Sequence, residues 1–344
     1  MKIYISMFSL IGALSLLSAG CQKELVYEER AEDPYRMEIK VDWELEWEMN
    51  SGNNWLGSWE SVGSANDYDF FRPRQPEGMA VILYDGIDGD YTFSREMHLP
   101  SSGGSFSIDP TTRAILFIND DSDYVVIKNL GSPYTVTAST GNHMSALYSD
   151  LHPGEKSLKQ PDLLYGALVE LTDEQIEKGE LPEKVVISPL VYGYVIKYNI
   201  TKNLEYVAGA SGALAGMAGS VNIKDGSTDD SKARYLFDCE ITPTGLEVLV
   251  MTFGVPSMEG GTQARVDTGY QGRHDLRLTL KLANGKTLTV DHDVTDQLSR
   301  QPKGGVIAIN DLEIPDELVK GSSGFQPDVD EWGDEKDIPL PLPK

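Results

Sequence analysis

Cysteine is nearly absent from this chain. Cys21 and Cys239 are the only two in 344 residues, too few for the disulfide framework of a small secreted fold. Histidine is scarce as well. His98, His143, His152, His274 and His292 form no i, i+4 ligand pair and no HExxH. Asp291-His292-Asp293 is the tightest local cluster, but on a strand both carboxylates point away from the imidazole. No Gly-Lys-Ser/Thr follows a glycine-rich loop, there is no dinucleotide fingerprint, and Gly209-Ala210-Ser211-Gly212-Ala213 lacks the last glycine of a nucleophile elbow. No metal, no cofactor and no catalytic residue is therefore expected, and the chain is read as non-enzymatic. Basic residues are few too, 29 against 54 acidic ones for a net charge of −25. That balance repels a phosphate backbone and excludes a nucleic-acid partner. After residue 19 no apolar run is long enough to cross a bilayer.

What is present starts at the amino terminus. Lys2 is the only charge among the first 20 residues, and Ile3 to Ala19 is almost wholly apolar, as in a secretory signal. Ser18-Ala19-Gly20-Cys21 resembles a bacterial lipobox, with Ser18 where leucine is commonest. The resemblance implies removal of residues 1–20, diacylglycerol on the Cys21 thiol and an acyl chain on the new terminus. Each buried CH₂ adds about 0.8 kcal/mol, so chains grouped on one residue hold to a membrane. Cys239 is then alone, and is read as a small core residue. Residues 21–36 form an acidic tether with Glu24, Glu28, Glu29, Glu32 and Asp33. In Bacteroidetes lipoproteins such a stretch resembles a signal for export to the cell surface. The expected location is the outer membrane, facing outward.

Residues 37–49 alternate apolar and charged without a break, which specifies a half-buried strand. Further strands are expected at 79–85, 91–99, 113–120, 124–130 and 134–140, then at 191–200, 273–282, 286–294 and 304–314. Gly, Asp, Asn, Ser and Pro between them supply turns. Asp85 to Asp90 reads as a hairpin turn rather than a calcium loop, and Asn284-Gly285 as a two-residue turn with positive φ. A capping box at Thr172 and Gln175 starts a helix that Gly179 and Pro182 end. The small-residue stretch 207–223 reads as a short helix packed closely on a sheet. Length suggests two domains, at 37–184 and 185–315, and a Pro-, Gly- and acid-rich tail follows at 316–344. Trp43 and Trp47 fall on the apolar face of the opening strand. Trp55 and Trp59 fall in a loop, where the rings could stack on a glycan, make a protein contact, or fold back as a lid.

Several stretches resemble one family, the Bacteroidales fimbrillin-associated anchor lipoproteins of FimB type. They are Cys21 followed by KEL, VDWELEW, FINDDSDYVVIKN, LEYVAGASGALAGMAGSVN and FQPDVDEWGDEKDIPL. The segment from Ser51 to Arg74 is longer than the family's pattern. The resemblance implies two tandem transthyretin-like β-sandwich domains in an all-β chain with one or two short helices. It also implies outer-membrane anchoring at the base of a type V fimbria, in adhesion. The implied partner is a fimbrial subunit joined by strand addition, in which one protein's strand fills a gap in another's sheet. An anchor would keep its own first strand, whereas a polymerising subunit would lose it by cleavage at Arg30 or Arg36. The alternative is a glycan-binding lipoprotein of a polysaccharide uptake system, with Trp55 and Trp59 on the sugar.

Overall fold

The computed structural model describes residues 35–45, 73–87, 90–144, 146–178, 184–256 and 272–320. Among them the chain is all-β, with three short helices and one 3-10 turn. A seven-stranded sheet runs in the order β3 (Asp90–Pro100), β2 (Gly78–Ile87), β5 (Thr112–Asn119), β9 (Tyr165–Glu170), β10 (Val185–Pro189), β1 (Arg36–Trp43) and β4 (Gly103–Ser107). Its two ends meet, since the Arg95 guanidinium of β3 donates to the Ser107 carbonyl of β4. The enclosed face holds Met37, Val81, Phe106, Phe117 and Ile187. On the opposite face lies a three-stranded sheet, β6 (Val125–Lys128), β7 (Thr137–Thr140) and β13 (Ser220–Asn222). It covers Ile82, Tyr84, Leu116 and Ile118. β2 and β5 are thus buried on both faces, which is why they read as unbroken apolar runs.

The second large sheet runs β17 (Thr287–Asp293), β16 (Asp275–Leu282), β12 (Val207–Ala218), β14 (Lys232–Thr242), β15 (Gly245–Thr252), β11 (Tyr192–Lys202) and β18 (Gly305–Glu313), with β8 (Lys156–Leu158) parallel to β14. Its core is built from Tyr194, Ile196, Tyr198, Leu276, Leu278, Leu280 and Ile307. The helices are α1 (Asp173–Lys178), α2 (Thr295–Ser299) and α3 (Asp316–Val319). α1 carries the expected capping box. The Gln175 N–H donates to Thr172 Oγ1 at 3.3 Å and the Thr172 N–H to Gln175 Oε1 at 2.9 Å.

Several expectations change. The stretch 207–223 is mostly the central strand β12, not a helix. Its small residues answer to close neighbours across the sheet, since a Cβ on Gly212 would lie 2.2 Å from the Arg277 carbonyl oxygen. β1 ends at Trp43, with Glu44 and Leu45 beyond it outside any strand, and residues 46–49 lie outside the described residues. β10 belongs to the first sheet, so the change of sheet falls after Pro189 rather than after residue 184. The two halves also exchange strands, because β8 joins the second sheet and β13 pairs with β7. At the β16–β17 turn only Gly285 is left-handed, at φ 82°. Leu282 accepts from the Gly285 N–H and donates to the Lys286 carbonyl, so the turn is a three-residue loop with a glycine bulge. Finally, residues 316–319 of the expected tail form a helical turn.

Candidate functional site

The alternating apolar residues of β1 seat it in the first sheet. Met37 and Ile39 are buried to 1% exposure and Trp43 to 7%, each burial worth about 2 kcal/mol. The backbone changes partner halfway. Arg36 to Lys40 pair antiparallel with β4, and Val41 to Trp43 pair parallel with β10. Beyond the ladder, Tyr35 accepts from the Ile108 N–H at 2.9 Å, and the Glu44 N–H donates to Ile187 at 3.0 Å. Trp43 Nε1 donates to the Ser101 carbonyl at 2.7 Å, and its ring meets Tyr165 edge-on at 5.3 Å. Without this strand, β4 and β10 would face each other across an apolar slot with unpaired N–H and C=O groups. Arg36, named above as a cleavage position, is the first residue of this ladder, opposite Ser107. Arg30 lies outside the described residues.

The flank of β18 is occupied differently. Gln297 and Gln301 lie one helical turn apart, beside the last strand. Gln297 Nε2 donates to the Ala308 carbonyl at 3.1 Å, and its Oε1 accepts from the Ala308 N–H at 2.9 Å. Gln301 repeats the pattern on Val306, at 3.0 Å and 2.8 Å. Two side-chain amides thus stand where the backbone of a neighbouring strand would stand. The wedge is held by buried Leu298 and by His274, whose carbonyl accepts from the Val294 N–H at 3.0 Å. Sequence reading missed both glutamines. The available signal was their i, i+4 spacing just before the last strand.

The remaining sequence candidates separate. Cys21, Trp55 and Trp59 lie outside the described residues, as does Trp47. Cys239 is half-buried, and burial pushes its thiol up to about 12. That removes thiolate reactivity near neutral pH. In the Asp291-His292-Asp293 cluster the side chains diverge. His292 lies 6.2 Å from the Tyr198 ring, while Asp291 accepts two bonds from Arg277 at 2.6 and 2.7 Å. Among the described residues no group of His, Cys, Asp and Glu could hold a metal ion, and no helix is long and apolar enough to cross a membrane. A charged cluster unread in the sequence ties the two halves together. His152 bridges Glu155 at 2.7 Å and Asp275 at 2.8 Å. Buried Arg234 donates to the carbonyls of Tyr148 and Glu155 and to the Ser157 hydroxyl.

A sheet completed by its own first strand and a second sheet capped along β18 by side-chain amides define an all-β scaffold. The chain belongs to the family described as Domain of unknown function (DUF5119), which matches residues 67–238. It is 24% identical, over 302 residues, to a Bacteroides ovatus protein provisionally named fimbrium anchoring subunit Fim4B, across 80% of this chain and 88% of that one. The fold is shared with the crystal structure of a protein described as an adhesin from Bacteroides ovatus, at TM-score 0.52 and 21% identity, covering 82% of this chain and 94% of that one. The fimbrial anchor protein Mfa2 of Porphyromonas gingivalis matches at TM-score 0.43 and 11% identity, covering 80% and 90%.

Proposed function

We propose that this chain is the anchoring or accessory subunit of a type V fimbria, acting in adhesion by binding rather than by catalysis. In this reading diacylglycerol and an acyl chain on Cys21 hold it to the outer membrane. The acidic tether lets it face outward, and its fimbrial partner joins by strand addition. The observation that carries the reading is the filled seat of β1. A polymerising subunit gives up its first strand to make room for a neighbour's. Here that strand is locked by its ladder, its buried side chains and the Trp43 indole, and cleavage at Arg36 would require its ladder to unzip. The relative named for fimbrium anchoring, aligned over most of both chains, supports the same reading.

The test is to replace Cys21 by serine in cells that make the fimbria. Fimbriae should shift from the cell fraction to the medium, and the protein should lose its lipid mass. Fimbriae that stay cell-bound while the protein is released would sink the anchoring role.

A further inference from the structure

The face of the first sheet beneath the three-stranded layer is covered unevenly. β2 and β5 are covered, whereas on the outermost strand β3 the cover among the described residues reaches Tyr91, whose ring meets Tyr134 at 5.2 Å, but not Glu96 or His98. Across from buried Ala80 and Ile82, β3 places His98 and Glu96, whose side chains are 64% and 40% exposed. β6 is the last strand of the covering layer, and no hydrogen bond reaches its outer edge among the described residues. Between β6 and β3 lies a cavity of about 270 Å³. Ala80 and Ile82 form its floor, Val125 and Ile127 its wall, and Glu96 and Asp120 stand at its rim. The lane is fixed at both ends. The Asp162 carboxylate holds the Asp123 and Tyr124 N–H groups before β6, and the Phe93 N–H donates to Gly131 beyond it, at 3.3 Å. The covering layer is thus one strand short, and the missing position lies above β3.

We propose that this lane receives one extended segment of a partner protein as the fourth strand of the small sheet. The segment carries an apolar residue and a Lys or Arg two positions apart, both turned inward. Residues two apart on a strand share a face. The apolar one would enter the cavity, and the basic one would lie over Glu96 and Asp120, where among the described residues no Lys or Arg pairs with either carboxylate and the His98 imidazole stands at 3.7 and 2.9 Å. Backbone pairing along β6 supplies the attachment and the rim charge selects the sequence. The other free flanks suit this less well. On β17, Asp291 and Asp293 are engaged by Arg277 and Arg273, and charge at an edge deters pairing. On β18 the flank is already filled. This inference rests on the strand-addition reading and says where the strand goes.

The experiment titrates the full chain, by calorimetry, with a short synthetic peptide in which Val and Lys alternate at every second position with Thr between. A second peptide carries Glu in place of Lys. The Lys peptide should bind, and the Glu peptide should bind about tenfold more weakly or not at all. Glu96→Lys should weaken the Lys peptide by a similar factor, with an unchanged unfolding temperature. Thr289→Lys, on the β17 flank, should leave it unchanged. Equal binding of both peptides, or indifference to Glu96→Lys, would overturn the proposal. In cells the two readings separate. If Cys21→Ser sheds fimbriae while Glu96→Lys retains them, anchoring stands and the lane falls.

Discussion

β18 and β6 are both outermost strands, each beside an apolar core, yet they are finished in opposite ways. Along β18, Gln297 and Gln301 answer the backbone of Val306 and Ala308 bond for bond. Along β6, no strand among the described residues takes the neighbouring position, and a cavity lies beside it. An unpaired edge invites addition of another chain, and proteins usually close or charge such edges. The contrast shows that closure here is selective. The fold commits two side chains to shut one flank and leaves another pre-formed and open. β1 supplies the reference case, an interior position filled by a whole strand.

The largest expected effect breaks that reference. Trp43→Ala removes a buried ring, its contact with Tyr165 and its bond to Ser101. Truncations of this kind cost about 3–5 kcal/mol, read as a shift of the chemical denaturation midpoint. If β1 were a loosely held strand, the loss would fall below about 1 kcal/mol, and the contrast between a filled seat and an open flank would lose its anchor.

Acid should act on the sealed flank and spare the open one. Burial holds His274 down to about 4, with smaller contributions from Lys232 and His152. Its folded value lies below the ordinary 6.5, so the unfolded chain takes up the proton first. Stability present above pH 6.5 should fall as the pH drops and be fully lost below about 4, by about 3 kcal/mol. His274 also anchors the start of α2, since its N–H donates to Thr295 Oγ1 at 2.9 Å. Hydrogen exchange at Val306 and Ala308 should therefore quicken before exchange in β6 and β7. In His274→Gln, which cannot ionise, the difference in stability between pH 7 and pH 4 should shrink. An unchanged difference would mean that the acid loss belongs to the carboxylates.

How much of this was legible in the sequence follows from the range of each signal. The alternation in residues 37–43 and the apolar runs of β2 and β5 are local, and each gave the right element. The capping box at Thr172 and Gln175 is local as well. β12 was misread because Val207 to Ala218 is chosen for close approach to β14 and β16, which only the sheet order reveals. For the same reason β10 looked like the start of a second unit, since its partners β9 and β1 lie on both sides of it in space but only before it in the chain. The two glutamines carry no periodicity of their own, and their role exists only once β18 is beside them. The open lane was less legible still. It is formed by what three separated segments fail to cover, and His98 and Glu96 look like ordinary outer-face residues of a strand.

The smallest effect on stability carries the sharpest test of the contrast. Each glutamine makes two hydrogen bonds to β18 through its side-chain amide, and a protein hydrogen bond nets about 1 kcal/mol. Because water can reach part of the flank, Gln297→Ala with Gln301→Ala should cost about 2 kcal/mol, less than the Trp43 truncation. The informative readout is association. With the amides gone, Val306 and Ala308 offer the same unpaired groups that β6 offers now, so the double variant should form concentration-dependent dimers by sedimentation while the parent chain stays at its starting mass. Gln297→Glu with Gln301→Glu separates the two roles. Carboxylates can accept from the N–H groups of Val306 and Ala308 but cannot donate to their carbonyls, and their charge opposes an incoming strand. That variant should therefore lose stability as the alanine variant does and yet remain unassociated. If the alanine variant instead loses stability without associating, the side-chain amides serve packing alone, and the flank of β18 was never a strand position in need of closure.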